Sequence, residues 1–250
     1  MTALALPAHA KLNLDLAVTG VRQDGYHELR TRFQAISLHD LLLIEPAAST
    51  ALHGGVGGDE DLVLRAQRAL ESAAGRPLPA RFRLVKRIPA GAGLGGGSAD
   101  AAATLRGLAR LHGLDVDLAP IAASLGADVP FLLRGGAAVA TGAGERLTPA
   151  PADHGWYAVA WPGYAVSTAA VYAGWDRVGG DGDNELTRAA FDVEPKLAEF
   201  AGMLGDRWRM TGSGSAFFRR CATRGQAEAA VARLDCWTAV ACPVGAWGGP

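Results

Sequence analysis

A cluster of glycines between a predicted strand and a predicted helix constrains this chain more than any other stretch. Residues 89–105 read PAGAGLGGGSADAAATL and follow RFRLV at 81–85, whose alternation predicts a half-buried strand. From Ser98 onward, small and apolar residues continue to Gly113, which is typical of a helix with a glycine C-cap. We expect Ser98 to be the N-cap and Asp100 to lie in the first turn, where a carboxylate suits the helix dipole. Because backbone N–H groups ahead of a helix bind anions, the stretch predicts a phosphate site.

The same glycines are compatible with more than one interpretation. Residues 91–96 match the G-x-G-x-x-G pattern of dinucleotide-binding folds, which also requires an acidic residue about 20 positions on, at the end of a second strand. Asp115 and Asp117 have that spacing, but they lie between two predicted helices. The Walker A motif requires a lysine after the last glycine, and none follows. A flexible connector would cost backbone entropy without compensating contacts. The dinucleotide motif and the connector stay open as alternatives.

Composition limits the classes of protein and partner. The chain has 250 residues, 49% of them hydrophobic, and a net charge of −1, so it can bury a sizeable core and offers no basic surface for nucleic acid. The three cysteines form no C-x-x-C pair and the histidines have no metal-ligand spacing, which favours reduced thiols and no metal bound by the protein itself. No apolar run reaches the roughly 18 residues of a membrane span. We therefore expect a cytoplasmic protein with neither a membrane nor a nucleic-acid partner.

Two polar residues on one predicted strand and one aspartate in a predicted turn are candidates for chemistry. Residues 10–18 alternate between apolar and polar side chains, which places Lys11 and Asn13 on one face of a half-buried strand. Asp128 follows a predicted helix at 118–125 and precedes an apolar, strand-like segment, so we expect it in a turn. Taken alone, each of the three is also compatible with a solvated surface or turn residue.

Prolines and polar residues at 148–155 separate two parts of the chain. They precede a new apolar strand, WYAVAWPG, and predict a boundary between a domain of residues 1–150 and a domain of residues 151–250. In the second domain we expect an exposed loop at 174–184 and a helix at 195–204.

Three segments occur in the order and spacing of one enzyme superfamily. PAHAKLNLDLAVTG (7–20), PAGAGLGGGSADAA (89–102) and MTGSGSAFF (210–218) resemble the three motifs of the GHMP kinases, which include galactokinase, homoserine kinase and mevalonate kinase. The resemblance implies an α+β, two-domain GHMP kinase fold with ATP and Mg²⁺ as cofactors. The N-terminal α/β domain would be like ribosomal protein S5 domain 2, the C-terminal α/β domain would be ferredoxin-like, and the active site would lie in the cleft between them.

The resemblance assigns the second motif to the phosphates of ATP. The residues concerned are Pro89, Gly91, Gly93, Leu94, Gly95, Gly96, Gly97 and Ser98. The Ser98 hydroxyl would contact a phosphate or Mg²⁺, or the residue would serve only as a helix cap. Both interpretations stay open.

Two further segments, TGVRQDGYHELRTRFQ (19–34) and GADVPF (126–131), narrow the resemblance to one branch of the superfamily. Both resemble the kinases that phosphorylate a hydroxyl of cytidylyl-methylerythritol, a small-molecule acceptor. Asp128 matches the aspartate of this branch that accepts or orients the acceptor's proton, and Lys11 matches the lysine that stabilises charge during transfer. The implied activity is the ATP-dependent phosphorylation of an alcohol.

The same resemblance implies which residues bind the acceptor. Asn13 would hydrogen-bond the hydroxyls of the acceptor, and Tyr26 and His27 would stack on the cytosine ring and contact its edge. Tyr172 aligns with a second stacking aromatic, although a tyrosine in such a segment is also typical of core packing. The third motif would place Gly212, Ser213 and Gly214 at the phosphates of the acceptor.

Two segments depart from the pattern of this branch. Asn184-Glu185-Leu186 stands where these kinases more often have Asn-Asp and an apolar residue, and the final WGGP matches nothing in them. The alternatives that stay open are another GHMP kinase with a mevalonate- or sugar-type acceptor, a dinucleotide-dependent oxidoreductase, and a non-catalytic relative that binds nucleotide. We expect either a monomer or a homodimer.

Overall fold

A computed structural model of the chain describes residues 3–23 and 25–247. Within them the strands are β1 (Leu4–Val21), β2 (His27–Pro46), β3 (Ala51–His53), β4 (Ala80–Val85), β5 (Ala137–Gly142), β6 (Arg146–Pro149), β7 (Trp156–Trp161), β8 (Arg209–Met210), β9 (Phe217–Cys221) and β10 (Trp237–Ala241). The helices are α1 (Leu62–Ala74), α2 (Gly96–His112), α3 (Leu118–Leu125), α4 (Val129–Arg134), α5 (Thr168–Val178), α6 (Thr187–Val193), α7 (Pro195–Leu204) and α8 (Arg224–Val231), with a 3-10 turn at Gly58–Glu60. They form two sheets with helices packed on them, as the expected α+β fold requires.

The first sheet is built on two long antiparallel strands. β1 pairs with β2 along its length, and β2 also pairs with β5 through residues 29–34 and with β4 through residues 41–46. β3 joins β4 in parallel, and β6 joins β5. The register between β1 and β2 shifts on both sides of the segment that carries Lys11 and Asn13. Because such bulges change the direction of neighbouring side chains, they set where these two residues point.

Helices α1 to α4 pack on the first sheet around a large apolar core. Its fully buried members include Leu42, Phe82, Leu105 and Phe131. Alanines on α2 let this helix lie close to the sheet, and Gly107 faces the strand directly. A Cβ at position 107 would lie 2.3 Å from the Cδ1 atom of Ile44, so no larger residue fits there without movement of the core.

The second sheet has the order β10-β7-β9-β8 and is antiparallel throughout. A second apolar cluster holds helices of this domain against it and includes Val171, Ala190, Leu197 and Phe217. A third cluster lies between the two sheets, where Leu12, Ile36 and Leu94 meet Tyr157 and Phe218. The two domains therefore share a buried apolar interface.

Residues 242–247, which we call the C-terminal strap, return from the second sheet to the first. The Ser37 backbone N–H donates to the carbonyl oxygen of Cys242 at 2.8 Å. At the other end of the strap, the Trp247 indole N–H donates to the carbonyl oxygen of Leu132 in α4 at 2.9 Å. The strap thus connects the second domain to the helix that follows Asp128.

Several sequence-based expectations about the elements are confirmed. The strand at 81–85, the helices at 118–125 and 195–204 and the glycine C-cap at Gly113 are present. The predicted boundary after residue 150 falls between β6 and β7 and stays a prediction. Asp24, in a turn that the Asp24-Gly25 pair predicts, and residues 248–250 of the WGGP end lie outside the described residues.

The expected N-terminus of α2 was wrong. The helix begins at Gly96, and Gly95 occupies the cap position with φ of +72° and no capping side chain. Ser98 is therefore the third helical residue rather than the cap, and Asp100 lies beyond the first turn. A glycine in the left-handed conformation can precede a helix without a capping side chain, so the preference for serine at the N-cap indicated the wrong residue.

The loop predicted at 174–184 is shorter than expected, because α5 continues to Val178 and ends at a glycine with φ of +63°. Asp128 lies in a turn, as expected, but the turn leads into the six-residue helix α4, which the sequence did not predict, rather than into a strand. None of the helices in the described ranges is long and apolar enough to cross a membrane.

Candidate active site

The glycine loop, residues 91–97, separates two cavities. The smaller cavity, of about 380 Å³, is lined by residues 89–98 together with Asp61, Lys86 and Asp100. It therefore contains every residue that the sequence assigned to the phosphates of ATP.

The larger cavity, of about 830 Å³, lies between the two domains. The predicted residues that line it are Lys11, Asn13, Tyr26, His27, Asp128, Tyr172, Gly212 and Ser213. Gly93, Gly95 and Ser98 line both cavities. Gly214 lines neither of them and lies behind the turn, where a Cβ would be 3.0 Å from the sulfur of Met210. The two predicted groups of residues thus meet along one edge of the glycine loop.

Backbone conformation and close approach of the third motif explain the glycines of the loop. Gly91, Gly93 and Gly95 all have φ between +71° and +77°, which side chains rarely adopt. A Cβ at Gly93 would also lie 2.6 Å from the carbonyl oxygen of Gly214 and 2.8 Å from that of Thr211. The loop therefore lies directly against the third motif.

Lys11 is buried where an open strand face was expected. Its side chain is only 5% exposed, because the turn of the third motif and the glycine loop cover it. Its ammonium nitrogen donates to Asn13 Oδ1 at 2.6 Å and lies 3.5 Å from Asp128 Oδ2. The Asp128 side chain is 31% exposed and faces the larger cavity. A fixed positive charge beside an accessible carboxylate suits proton transfer with developing negative charge.

Two threonines that sequence reasoning missed hold Asn13 in place. Its side-chain amide donates to Thr31 Oγ1 at 2.8 Å, and its backbone N–H donates to Thr211 Oγ1 at the same distance. With both amide groups committed, Asn13 Oδ1 is directed at Lys11. Thr211 lies inside the third motif and could have been suspected, whereas nothing in the sequence singles out Thr31.

The segment that departs from the usual pattern contributes to the site through Asn184. Its amide donates to the carbonyl oxygens of Met210 and Gly212 at 2.9 Å each, and its side chain is buried. The neighbouring Glu185 carboxylate accepts from the backbone N–H of Val18 in β1 at 2.8 Å. Through these contacts, Asn184 and Glu185 connect the third motif and the segment before α6 to the first sheet.

The aromatic residues of the larger cavity form one cluster. The His27 ring stacks on Tyr172 with centroids 4.8 Å apart and meets Trp175 edge-on at 5.6 Å. Burial, with the Asp128 carboxylate nearby, raises the pKa of Tyr172 to about 12, so this phenol stays neutral. Tyr26 is 66% exposed at the rim. Sequence reasoning placed these aromatics together but missed Trp175 and Asp176, whose carboxylate meets His27 Nε2 at 2.8 Å.

A buried charge cluster supports the start of the glycine loop. Asp40 is fully buried, accepts from the Ile88 backbone N–H at 2.8 Å and pairs with Lys86. Lys86 also contacts Asp100 Oδ2 at 2.7 Å. Although burial opposes its charge, Asp100 and Asp40 leave the pKa of Lys86 above its ordinary value. Removing one member of a buried pair typically costs about 3–5 kcal/mol, so the loop depends on this cluster.

Asp100 is the unbalanced member of the cluster. Its Oδ1 atom is buried and has no hydrogen-bond partner among the described residues. Burial, opposed by Lys86 and reinforced by Asp40 and Asp61, raises its pKa to about 7. The Asp100 residue lines the smaller cavity, whose backbone N–H groups at a helix N-terminus suit phosphates.

Residues 61–136 match the family described as the GHMP kinases N terminal domain. The solved structure of a mevalonate kinase covers 98% of this chain with a TM-score of 0.70 at 10% identity, which is a likeness of fold. Fold, family match and glycine loop together define a GHMP kinase.

Closer similarities are to one group within the superfamily. The chain is 42% identical to the 4-diphosphocytidyl-2-C-methyl-D-erythritol kinase of Thermus thermophilus over 92% of both chains, and 45% identical to that of Chromohalobacter salexigens over 75% of this chain and 63% of the relative. A crystal structure of 4-(cytidine 5'-diphospho)-2C-methyl-D-erythritol kinase superposes with a TM-score of 0.85 at 41% identity, covering 98% of this chain and 100% of the other. The chain belongs to the family of 4-diphosphocytidyl-2-C-methyl-D-erythritol kinases.

The raised pKa of Asp100 predicts a pH-dependent cost in stability. The folded state holds the carboxyl proton more tightly than the unfolded state, so the protonated group stabilises the fold below about pH 4. That contribution is lost as the pH rises through about 7. Unfolding free energies from urea titrations at pH 5 and pH 8 should therefore fall more in the wild type than in Asp100→Asn. An equal fall in both, with the exposed Asp115→Asn as the control, would contradict the assignment.

Proposed function

We propose that this chain transfers the γ-phosphoryl group of ATP to the 2-hydroxyl of 4-diphosphocytidyl-2-C-methyl-D-erythritol, a step in the non-mevalonate route to isoprenoid precursors. The observation that carries the proposal is the meeting of Lys11, Asn13 and Asp128 in the larger cavity, along the edge it shares with the glycine-walled cavity. Membership of the kinase family supports the choice of donor and acceptor.

ATP binds with its phosphates along the glycine loop. The N–H groups of residues 93–97 and the N-terminus of α2 bind the phosphate oxygens, and Gly93, Gly95 and Ser98 place the terminal phosphate at the boundary of the two cavities. Mg²⁺ would neutralise phosphate charge when bound, and the phosphates together with the Ser98 hydroxyl would hold it. Among the described residues, no group of three or more His, Cys, Asp or Glu side chains could hold a metal ion.

The acceptor hydroxyl lies beside Asp128. Its oxygen forms the new bond to the γ-phosphorus as the bond from that phosphorus to the bridging oxygen of ADP breaks, and its proton passes to the Asp128 carboxylate. The Lys11 ammonium, directed by Asn13 Oδ1, stabilises the charge on the oxygens during transfer. Buried donors fixed before the reaction need no reorganisation, which is why the Thr31 and Thr211 contacts matter.

The cytidylyl end of the acceptor lies at the aromatic end of the larger cavity. Tyr26 stacks on the base from the rim, His27 contacts the base edge, and Tyr172 lines the cavity beside His27. Trp175 packs against the His27 ring. The turn at Gly212 and Ser213 faces the acceptor's phosphates. Both substrates are small and water-soluble, which is compatible with a cytoplasmic enzyme.

A comparison of acceptors tests the proposed reaction. ADP release should be measured with the cytidylyl substrate and, in parallel, with mevalonate, homoserine and galactose. We expect kcat/KM for the cytidylyl substrate to exceed the others by at least about a thousandfold, because only that substrate fills the aromatic end of the cavity. Comparable turnover of mevalonate or a sugar would replace the proposed acceptor with that one.

Removing the charged pair should stop turnover without preventing nucleotide binding. Lys11→Ala and Asp128→Asn should each lower kcat at least about a hundredfold, since each removes a group that acts in the transition state. ATP affinity, measured by calorimetry, should change little because the glycine loop is untouched. The exposed Lys196→Ala on α7 is the control. Near-normal kcat in both variants would contradict these roles.

Removing the exposed aromatic should affect one substrate selectively. Tyr26→Ala should raise KM for the cytidylyl substrate about tenfold or more and leave KM for ATP unchanged, because a base–aromatic stack contributes about 1–3 kcal/mol. Tyr26→Phe keeps the ring and should remain close to the wild type. Equal increases in both KM values would argue against stacking on the cytosine.

A further inference from the structure

We infer that Asp176 is a positioning residue that fixes the tautomer of His27 and thereby makes the site select cytosine over uracil. The inference rests on the proposed function, because it concerns how that function's acceptor is recognised. Asp176 does not contact the base in this proposal and acts only through the imidazole.

The contact joins the two domains. His27 is the first residue of β2, whereas Asp176 lies on α5, and His27 Nε2 is 2.8 Å from Asp176 Oδ1. The His27 side chain is 9% exposed, while the Asp176 side chain is 50% exposed. A buried imidazole is therefore hydrogen-bonded to a carboxylate that is half exposed to solvent.

The orientation of the ring is fixed as well as its position. Trp175 and Asp176 lie three and four residues after Tyr172 on α5, so both are neighbours of Tyr172 on the helix surface. Tyr172 stacks against the His27 ring at 30° and Trp175 meets it at 87°. The two ring contacts fix the plane of the imidazole. A ring flip about the Cβ–Cγ bond would keep both of them and lose only the hydrogen bond, so the contact with Asp176 determines that Nε2 faces the carboxylate.

The carboxylate decides which nitrogen carries the proton. An ionised carboxylate only accepts hydrogen bonds, so Nε2 of His27 must be the donor. In the neutral imidazole, Nδ1 then presents a lone pair. Among the described residues, His27 Nδ1 has no hydrogen-bond partner, and the atom keeps some solvent-accessible surface. Because His27 lines the larger cavity, we infer that Nδ1 is open to a ligand there. This is the arrangement by which second-layer carboxylates orient histidines that bind metals.

An acceptor at this point distinguishes the two pyrimidines. Cytosine carries a 4-amino group that can donate to the Nδ1 lone pair, whereas uracil carries a carbonyl oxygen there and would leave two acceptors facing each other. Sites that hydrogen-bond a substrate donor reject analogues without it strongly, because the buried partner is left unpaired. Aromatic stacking alone would give no such discrimination, since every base has a π-face.

The test compares the cytidylyl substrate with its uridylyl analogue, and CDP with UDP. In the wild type, KM for the uridylyl analogue divided by KM for the cytidylyl substrate should be well above one, and so should Kd for UDP divided by Kd for CDP. Asp176→Ala should reduce both of these ratios about tenfold or more, because KM for the cytidylyl substrate and Kd for CDP rise, while kcat changes little. Asp176→Asn retains an oxygen that accepts from Nε2–H and should keep most of the preference. Asp176→Lys donates to Nε2, moves the proton to Nδ1 and should shift the preference towards uracil.

Asp192→Ala is the matched control, because Asp192 is a similarly exposed carboxylate, paired with Arg177 on α5 but not in contact with His27. Ratios unchanged in Asp176→Ala, or KM values that rise equally for both pyrimidines, would overturn the inference and leave Asp176 a purely structural residue. If Asp176→Ala does not fold, Asp176→Asn and Asp176→Lys give the same comparison. If the wild type does not phosphorylate the cytidylyl substrate, the proposed function fails, and the CDP and UDP affinities still decide the inference.

Discussion

The glycine loop is hydrogen-bonded on both sides, and the geometry of the site depends on those two bonds. On one side the Lys11 backbone N–H donates to the Leu94 carbonyl oxygen at 3.0 Å, and on the other the Ala216 N–H donates to the Ala92 carbonyl oxygen at 2.9 Å. The three sequence motifs, far apart along the chain, are thereby joined through backbone atoms alone. Backbone of the third motif also excludes a side chain at Gly93, so this glycine serves close packing as well as phosphate binding.

Charges around the loop are distributed unequally between the two cavities. On the side of the larger cavity, the Lys11 ammonium has one amide and one partly exposed carboxylate as partners. On the side of the smaller cavity, Lys86 stands between two carboxylates, which leaves that cluster with an excess negative charge when all three are ionised. The raised pKa of Asp100 is the consequence of this excess and of burial. The wall of the smaller cavity therefore carries an acidic group whose pKa is set by burial and by its charged neighbours.

The sequence was most informative where a function is carried by a contiguous motif, and least where it is carried by a contact between distant residues. The glycine loop, Lys11, Asn13 and the Tyr26-His27 pair could all be assigned from local segments, and the structure brings them together. Thr31, Asn184 and Asp176 could not, because an isolated polar residue carries no periodic or motif signal until its partner is known. Asp176, for example, is 149 positions from His27. Burial of Lys11 was missed because strand alternation reports one sheet face, whereas here two glycine turns cover the polar face.

The C-terminal strap gives the molecule a second covalent crossing between its domains. The chain passes from the first sheet to the second between β6 and β7, and returns after β10 to lie against β2 and α4. A displacement of one domain relative to the other would therefore have to break the hydrogen bonds of the strap as well as separate the apolar cluster between the sheets. Because the strap ends on α4, the second domain is anchored to the helix that begins beside Asp128.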